Sequence, residues 1–141
     1  MIYQANKGQT SYGEAIGIIL MESFMPFPPG CPGNATTFEY PVRYEIVKGA
    51  NMERLVYKGD PKLLQPFIDA GWALINQGVK AITGNCGFMV LYHDILAKEF
   101  PVPTFMSSLL QLPFISRMLN RVKKSGLSQP TATLLRTSTL K

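Results

Sequence analysis

With one histidine and two cysteines, the chain is poor in the residues that hold metals. Those three side chains are too few and too scattered for a zinc centre. No glycine-rich phosphate loop occurs, and no cofactor is expected. No apolar run reaches the roughly 18 residues that a membrane span takes. The polar opening Met1 to Gly13 lacks the apolar core of a secretory signal. Two separated cysteines without such a signal point to free thiols in a reducing, cytoplasmic setting, against a Cys31–Cys86 disulfide. Acidic residues are missing from Arg117 onward, where six basic ones stand (Arg117, Arg121, Lys123, Lys124, Arg136 and Lys141). The preceding 116 residues carry eight basic and nine acidic groups, so the net charge of +5 belongs to the tail. After Lys124 there is no aromatic residue, and basic residues are not interleaved with stacking ones. Neither a nucleic acid nor a membrane is therefore expected as a partner.

What is present suits one α/β unit. A length of 141 residues with 46% hydrophobic and 16% charged side chains fits a single core. The run Ala15-Ile16-Gly17-Ile18-Ile19-Leu20-Met21 reads as a strand buried on both faces of a parallel sheet. A proline-rich loop follows from Ser23 to Phe38, long enough to carry function. Val42 to Val47 reads as a second strand and Arg54 to Tyr57 as a short third. Asp60-Pro61 marks an N-cap and a first helical position. The helix it opens runs to about Gln77 and closes at Gly78, with Pro66 disturbing its first turns. Its apolar face is Leu63, Leu64, Phe67, Ile68, Trp72 and Ile75. Val79 to Thr83 and Val102 to Met106 read as further strands. Phe88 to Phe100 and Leu109 to Val122 read as helices, the latter irregular at Pro113. Strands alternating with helices imply α/β with a parallel sheet flanked by helices.

The segment Ala81-Ile82-Thr83-Gly84-Asn85-Cys86-Gly87-Phe88-Met89 carries the chemistry. It sets a thiol at the carboxyl end of a strand and the amino end of a helix. Backbone N–H groups converging there are expected to lower the thiol pKa below the free value of about 8.5. In parallel sheets ligands sit beyond the carboxyl ends of the strands. Three polar groups should gather there: the loop around Asn34 and Thr36, the turn Asn85-Cys86-Gly87, and Ser107-Ser108. Their small donors and acceptors suit a carboxylate or an amide. His93 and the methionines Met21, Met25, Met89, Met106 and Met118 read as packing or surface residues. The Ser and Thr hydroxyls also suit helix caps.

Several pieces together resemble the aspartate/glutamate/hydantoin racemase superfamily, in its branch of uncharacterised Asp/Glu racemase proteins. They are Tyr12-Gly13-Glu14-Ala15-Ile16-Gly17-Ile18, Pro29-Gly30-Cys31-Pro32-Gly33-Asn34-Ala35-Thr36-Thr37-Phe38, Pro41-Val42, Cys86-Gly87-Phe88 and Ser107-Ser108-Leu109-Leu110-Gln111. The resemblance implies a cofactor-independent racemase of two facing lobes, each with one cysteine, which exchange a proton at the α-carbon of a small carboxylate or amino-acid-like substrate. It makes Cys86 the first-lobe acid/base and Asn34, Thr36, Gly87, Ser107 and Ser108 carboxylate contacts. It assigns Cys31 no role. On that mapping residues 1–106 form the N-terminal lobe and 107–124 an inter-lobe helix. The apolar face of that helix (Leu110, Phe114, Ile115, Leu119) would stand open, favouring homo-oligomers.

The resemblance stops after Lys124, about half-way through such a fold, so the second cysteine is missing and activity alone is expected to be low or absent. Residues 125–141 read as an out-of-frame or disordered tail. Back-translating Ser125 to Thr133 and shifting the frame yields Val-Gly-Phe-Ile-Thr-Ala-Asn-Ser-Asn, the strand the resemblance expects there. Two other readings stand beside the racemase lobe. One is a single-cysteine, decarboxylase-like enzyme of the same fold, and the other a non-enzymatic remnant.

Overall fold

A computed structural model describes residues 7–118 of the chain. Four parallel strands form one sheet in the order β2-β1-β3-β4. They are β1 (Ile16–Met21), β2 (Val42–Val47), β3 (Ala81–Gly84) and β4 (Thr104–Phe105). The expected α/β architecture is thus present, with helices α1 (Leu64–Asn76), α2 (His93–Glu99) and α3 (Leu112–Met118) joined to shorter helical turns. The tail from Ser125 and the end of the predicted Leu109–Val122 helix lie outside the described residues.

The central strand explains the pattern of burial. β1 pairs with β2 through Ile16↔Val42 to Met21↔Val47, and with β3 through Ile16↔Ala81 to Ile19↔Gly84. Side chains alternate between faces. Gly17, Ile19 and Met21 therefore face α1, and Ile18 faces the other way, between Tyr44 and Thr83 in register. Both Ile18 and Ile19 are fully buried, as a strand covered on two faces requires. At Gly17 an added Cβ would stand 2.9 Å from Leu74 Cδ1, so α1 lies close on the sheet.

Helix α1 starts as its sequence indicates. Asp60 Oδ1 accepts the Lys62 N–H at 2.9 Å, a 3-10 turn Pro61–Leu63 follows, and the α-helix begins at Leu64. Pro66 sits in its first turn, where the missing N–H costs little. Gly78 ends it with φ +93°, the left-handed backbone that favours glycine, and its N–H donates to Ile75 O at 2.9 Å. The side chains on α1 that are buried outright are Phe67, Ala70 and Leu74. Phe67 stacks on Tyr92 with ring centroids 5.0 Å apart, and Trp72 meets Phe100 edge-on at 6.2 Å. These contacts bind α1 to the segment around α2.

The last two strands are shorter than expected, and two further elements differ in kind. Arg54 to Tyr57 is not a strand: Met52–Tyr57 forms a π-helix. Asn51 Oδ1 caps it by accepting the Arg54 N–H at 3.1 Å, and Glu53 stands in its first turn. The Arg54 guanidinium then closes the segment, donating to Asp60 Oδ2 at 2.9 Å and to Gly49 O at 3.1 Å. Tyr92 Oη donates to Asp60 O at 2.7 Å, and burial pushes its pKa up to about 12. The second difference follows Cys86. Residues Gly87–Tyr92 wind as a 3-10 helix, and the α-helical part begins only at His93.

Helix α3 carries Phe114, Ile115 and Met118 in solvent, as expected of the first two, whereas Leu110 before it and Leu112 within it are half-buried and Leu119 lies outside the described residues. Phe114 is 69% exposed, Ile115 38% and Met118 71%. Among the described residues no helix is long and apolar enough to cross a membrane.

Candidate active site

The carboxyl ends of β1 and β3 deliver the site. Met21 closes β1, and Gly84 closes β3 immediately before Asn85 and Cys86. The Asn85 N–H donates to Ile19 O at 3.1 Å, which extends the ladder by one residue, and Asn85 Oδ1 accepts the Met21 N–H at 3.4 Å. Asn85 thereby ties the two strand ends together. Cys86 follows in extended backbone (φ −127°, ψ 129°) as the residue before the 3-10 helix.

A cavity of about 290 Å³ opens there, near the lower end of small-molecule sites. Asn85, Cys86, Gly87 and Ser108 supply its polar floor. Met21, Met25, Phe27 and Met52 supply much of the apolar wall, with Ser23 among them. Of the expected site residues, then, Cys86, Asn85, Gly87 and Ser108 meet at one cavity.

Asn34, Thr36 and Ser107 do not line it. Asn34 Oδ1 accepts from the Thr36 N–H at 2.9 Å and from Thr36 Oγ1 at 2.7 Å, capping the short turn Ala35–Thr37. Its Nδ2 donates to Phe27 O at 2.6 Å, so it holds in place a residue that does face the cavity. Ser107 is buried, with Oγ donating to Gly87 O at 2.7 Å and accepting the Leu109 N–H at 3.1 Å. That hydroxyl pins the cysteine turn against the segment after β4.

The electrostatics of the thiol correct the sequence expectation. Cys86 is half-buried, and burial pushes its pKa up, while the N–H of Phe88 pulls the other way and loses. A 3-10 turn of six residues presents a weaker dipole than a long α-helix, and the surrounding side chains are largely apolar. Cys31 is also a free thiol, in the proline-rich loop. Among the described residues no three His, Cys, Asp or Glu side chains gather as metal ligands.

Sequence reasoning missed Met21, Met25, Phe27, Met52 and Val56 as cavity residues. The signal for Met52 and Val56 was available in Asn51-Met52-Glu53, a cap followed by an acid, which marks a helix start rather than a strand.

Gly84 fixes how closely the turn can pack. An added Cβ would stand 2.4 Å from Met89 Sδ and 2.6 Å from the backbone oxygen of Met106. A thioether can swing away, but a strand-end carbonyl cannot. Gly84→Ala is expected to cost about 1–3 kcal/mol and to displace Cys86. A lower urea midpoint together with an altered Cys86 alkylation rate would show this, and unchanged values of both would refute it.

The chain is 36% identical over 103 residues to dimethylsulfoniopropionate lyases 6 and 3 of Emiliania huxleyi (strain CCMP1516), a match covering 72% of this chain and 27% of each relative. It is 30% identical over 123 residues to the dimethylsulfoniopropionate lyase of Durusdinium sp. clade D, covering 86% of this chain and 41% of that protein. The chain spans between about a quarter and two-fifths of the length of these curated relatives. No family model matches.

These relatives correct the resemblance drawn from the motifs. They are named lyases, not racemases or isomerases, and they point away from the aspartate/glutamate racemase superfamily. The decarboxylase-like alternative fits them better than the racemase. The physical reason is that a thiol at a strand end is compatible with more than one reaction: the local motif does not encode which, and a fold hosts many chemistries.

Proposed function

We propose that this chain is the cysteine-bearing α/β part of a lyase that eliminates a leaving group β to a carboxylate, with dimethylsulfoniopropionate as its substrate. The observation that carries the proposal is the meeting of Cys86, Asn85, Gly87 and Ser108 at one small cavity. Similarity to proteins named for that substrate supports it.

In the proposed step the Cys86 thiolate takes the proton from the carbon next to the carboxylate. The C–H electron pair becomes the new C=C bond, the bond from the β-carbon to sulfur breaks, and the sulfur keeps that pair. Acrylate and dimethyl sulfide leave, and the Cys86 thiol returns its proton to solvent. Charge builds on the carboxylate as the proton departs. Hydrogen-bond donors are needed there, and the Asn85 amide, the Ser108 hydroxyl and the Gly87 N–H are the candidates lining the cavity. Neutral donors suffice for one carboxylate. Among the described lining residues none is Lys or Arg, so a second carboxylate, as on aspartate or glutamate, would lack a countercharge.

The test pairs turnover with occupancy. Purified protein is incubated with dimethylsulfoniopropionate, acrylate is followed by proton NMR, and alkylation of each cysteine by iodoacetamide is followed by peptide mass spectrometry. Acrylate release, with saturable protection of Cys86 but not Cys31, is the expected result. No acrylate and an unprotected Cys86 would end the proposal.

A further inference from the structure

A second cavity, of about 390 Å³, adjoins the first and shares Met21, Ser23, Met25 and Met52 with it. Its remaining lining is Glu22, Phe24 and Asn51. Among the described lining residues of both cavities, Glu22 carries the one formal charge. Its place is defined: Oε2 accepts the Gly49 N–H at 2.9 Å, and its own N–H donates to Ala50 O at 2.9 Å. The Phe24 ring stands fully in solvent beside it, and Met25 and Met52 are 56% and 44% exposed.

This wall is unusual in kind. Thioethers are polarizable and offer no strong hydrogen-bond acceptor. An aromatic face attracts a cation that sheds its water readily. A lysine-like ammonium, strongly hydrated and carrying three donors, would find few acceptors here. A cation whose charge is wrapped in methyl groups needs none. It would gain contact with the methionines and the ring, and attraction from Glu22.

We infer that the second cavity is a subsite for a compact, methyl-wrapped onium group, with Met25, Met52 and Phe24 as its wall and Glu22 as its countercharge. The subsite rests on the elimination reading for its orientation. With the substrate carboxylate at Asn85 and Ser108, the onium end lies toward the wall that the two cavities share. Glu22 is a specificity-determining residue in this arrangement, since it rewards charge where the apolar wall alone would take any small hydrocarbon group.

The probe is trimethylsulfonium ion, which has no carboxylate and nothing to eliminate, with tert-butanol as the neutral control of similar shape. Protein carrying carbon-13 in its methionine methyl groups is titrated with each and read by NMR. Trimethylsulfonium is expected to move the Met25 and Met52 methyl signals saturably, and at several-fold lower concentration than tert-butanol does. Glu22→Gln keeps an oxygen for the Gly49 N–H, so its fold should persist, with an unchanged thermal midpoint as the check. That variant is expected to bind trimethylsulfonium about threefold to fivefold more weakly, the scale of one partly exposed charge contact. The absence of a saturable shift, an equal response to tert-butanol, or undiminished binding by Glu22→Gln would each overturn the inference. The elimination reading fails separately. Onium binding without acrylate release keeps the subsite and removes the base, whereas acrylate release without onium binding does the reverse.

Discussion

Cys86→Ser is expected to lower acrylate release from dimethylsulfoniopropionate by about 10²–10⁴-fold, the usual worth of a positioned general base. The serine hydroxyl fits the same place and leaves Asn85, Gly87 and Ser108 undisturbed, but it hardly ionises near neutral pH. The shape of the pH profile tests the same assignment. Burial raises the Cys86 pKa above the free thiol value and outweighs the Phe88 N–H, so at neutral pH the free protein holds mostly thiol. The rate at low substrate should therefore climb with pH through the free-thiol range and beyond, in step with Cys86 alkylation. A plateau reached below neutrality would contradict the assignment. Stability moves the other way. The unfolded chain gives up this proton at lower pH than the folded one. The contribution is therefore nil in acid and turns destabilising as pH rises from the ordinary thiol value toward the folded one.

Phe67→Ala is expected to lower folding stability by about 3–5 kcal/mol. Phe67 is wholly buried, and its ring lies on Tyr92 at a centroid distance of 5.0 Å. Truncation leaves a void that the sheet and α1 cannot close, and it removes one side of the Tyr92 packing. Tyr92 in turn holds Asp60 O, and Asp60 holds Arg54 at the end of the π-helix that supplies Met52. Against a typical total of about 5–15 kcal/mol, a loss of that size brings a domain close to unfolding. A urea titration checks it, with a lowered midpoint and an unchanged slope. Phe114→Ala is the control: at 69% exposure its effect should stay within about 0.5 kcal/mol. Equal losses at both positions would refute this account of the core.

Much of the scaffold was legible in the residues. β1 and β2 show as short apolar or β-branched runs, and β2 occupies Val42–Val47 as expected. The start and end of α1 were readable from Asp60-Pro61 and Gly78, because caps and left-handed turns are local chemistry. The segment after Asn51 was misread because Leu55 and Val56 look like strand residues in isolation. Both are buried within a π-helix, held there by an arginine reaching to Asp60 and Gly49.

The site divides in the same way. That a thiol stands at a strand end beside Asn85 and Gly87 is written in nine consecutive residues, since period, turn chemistry and strand length are short-range properties. Three matters were decided only in three dimensions. Asn34 and Ser107 spend their hydrogen bonds on neighbouring backbone, the methionine wall comes from β1, the following loop and the π-helix together, and burial outweighs the helix N–H groups at the sulfur. Each depends on which distant atoms displace water from a group. Desolvation is a property of the packed assembly, and no stretch of sequence carries it alone.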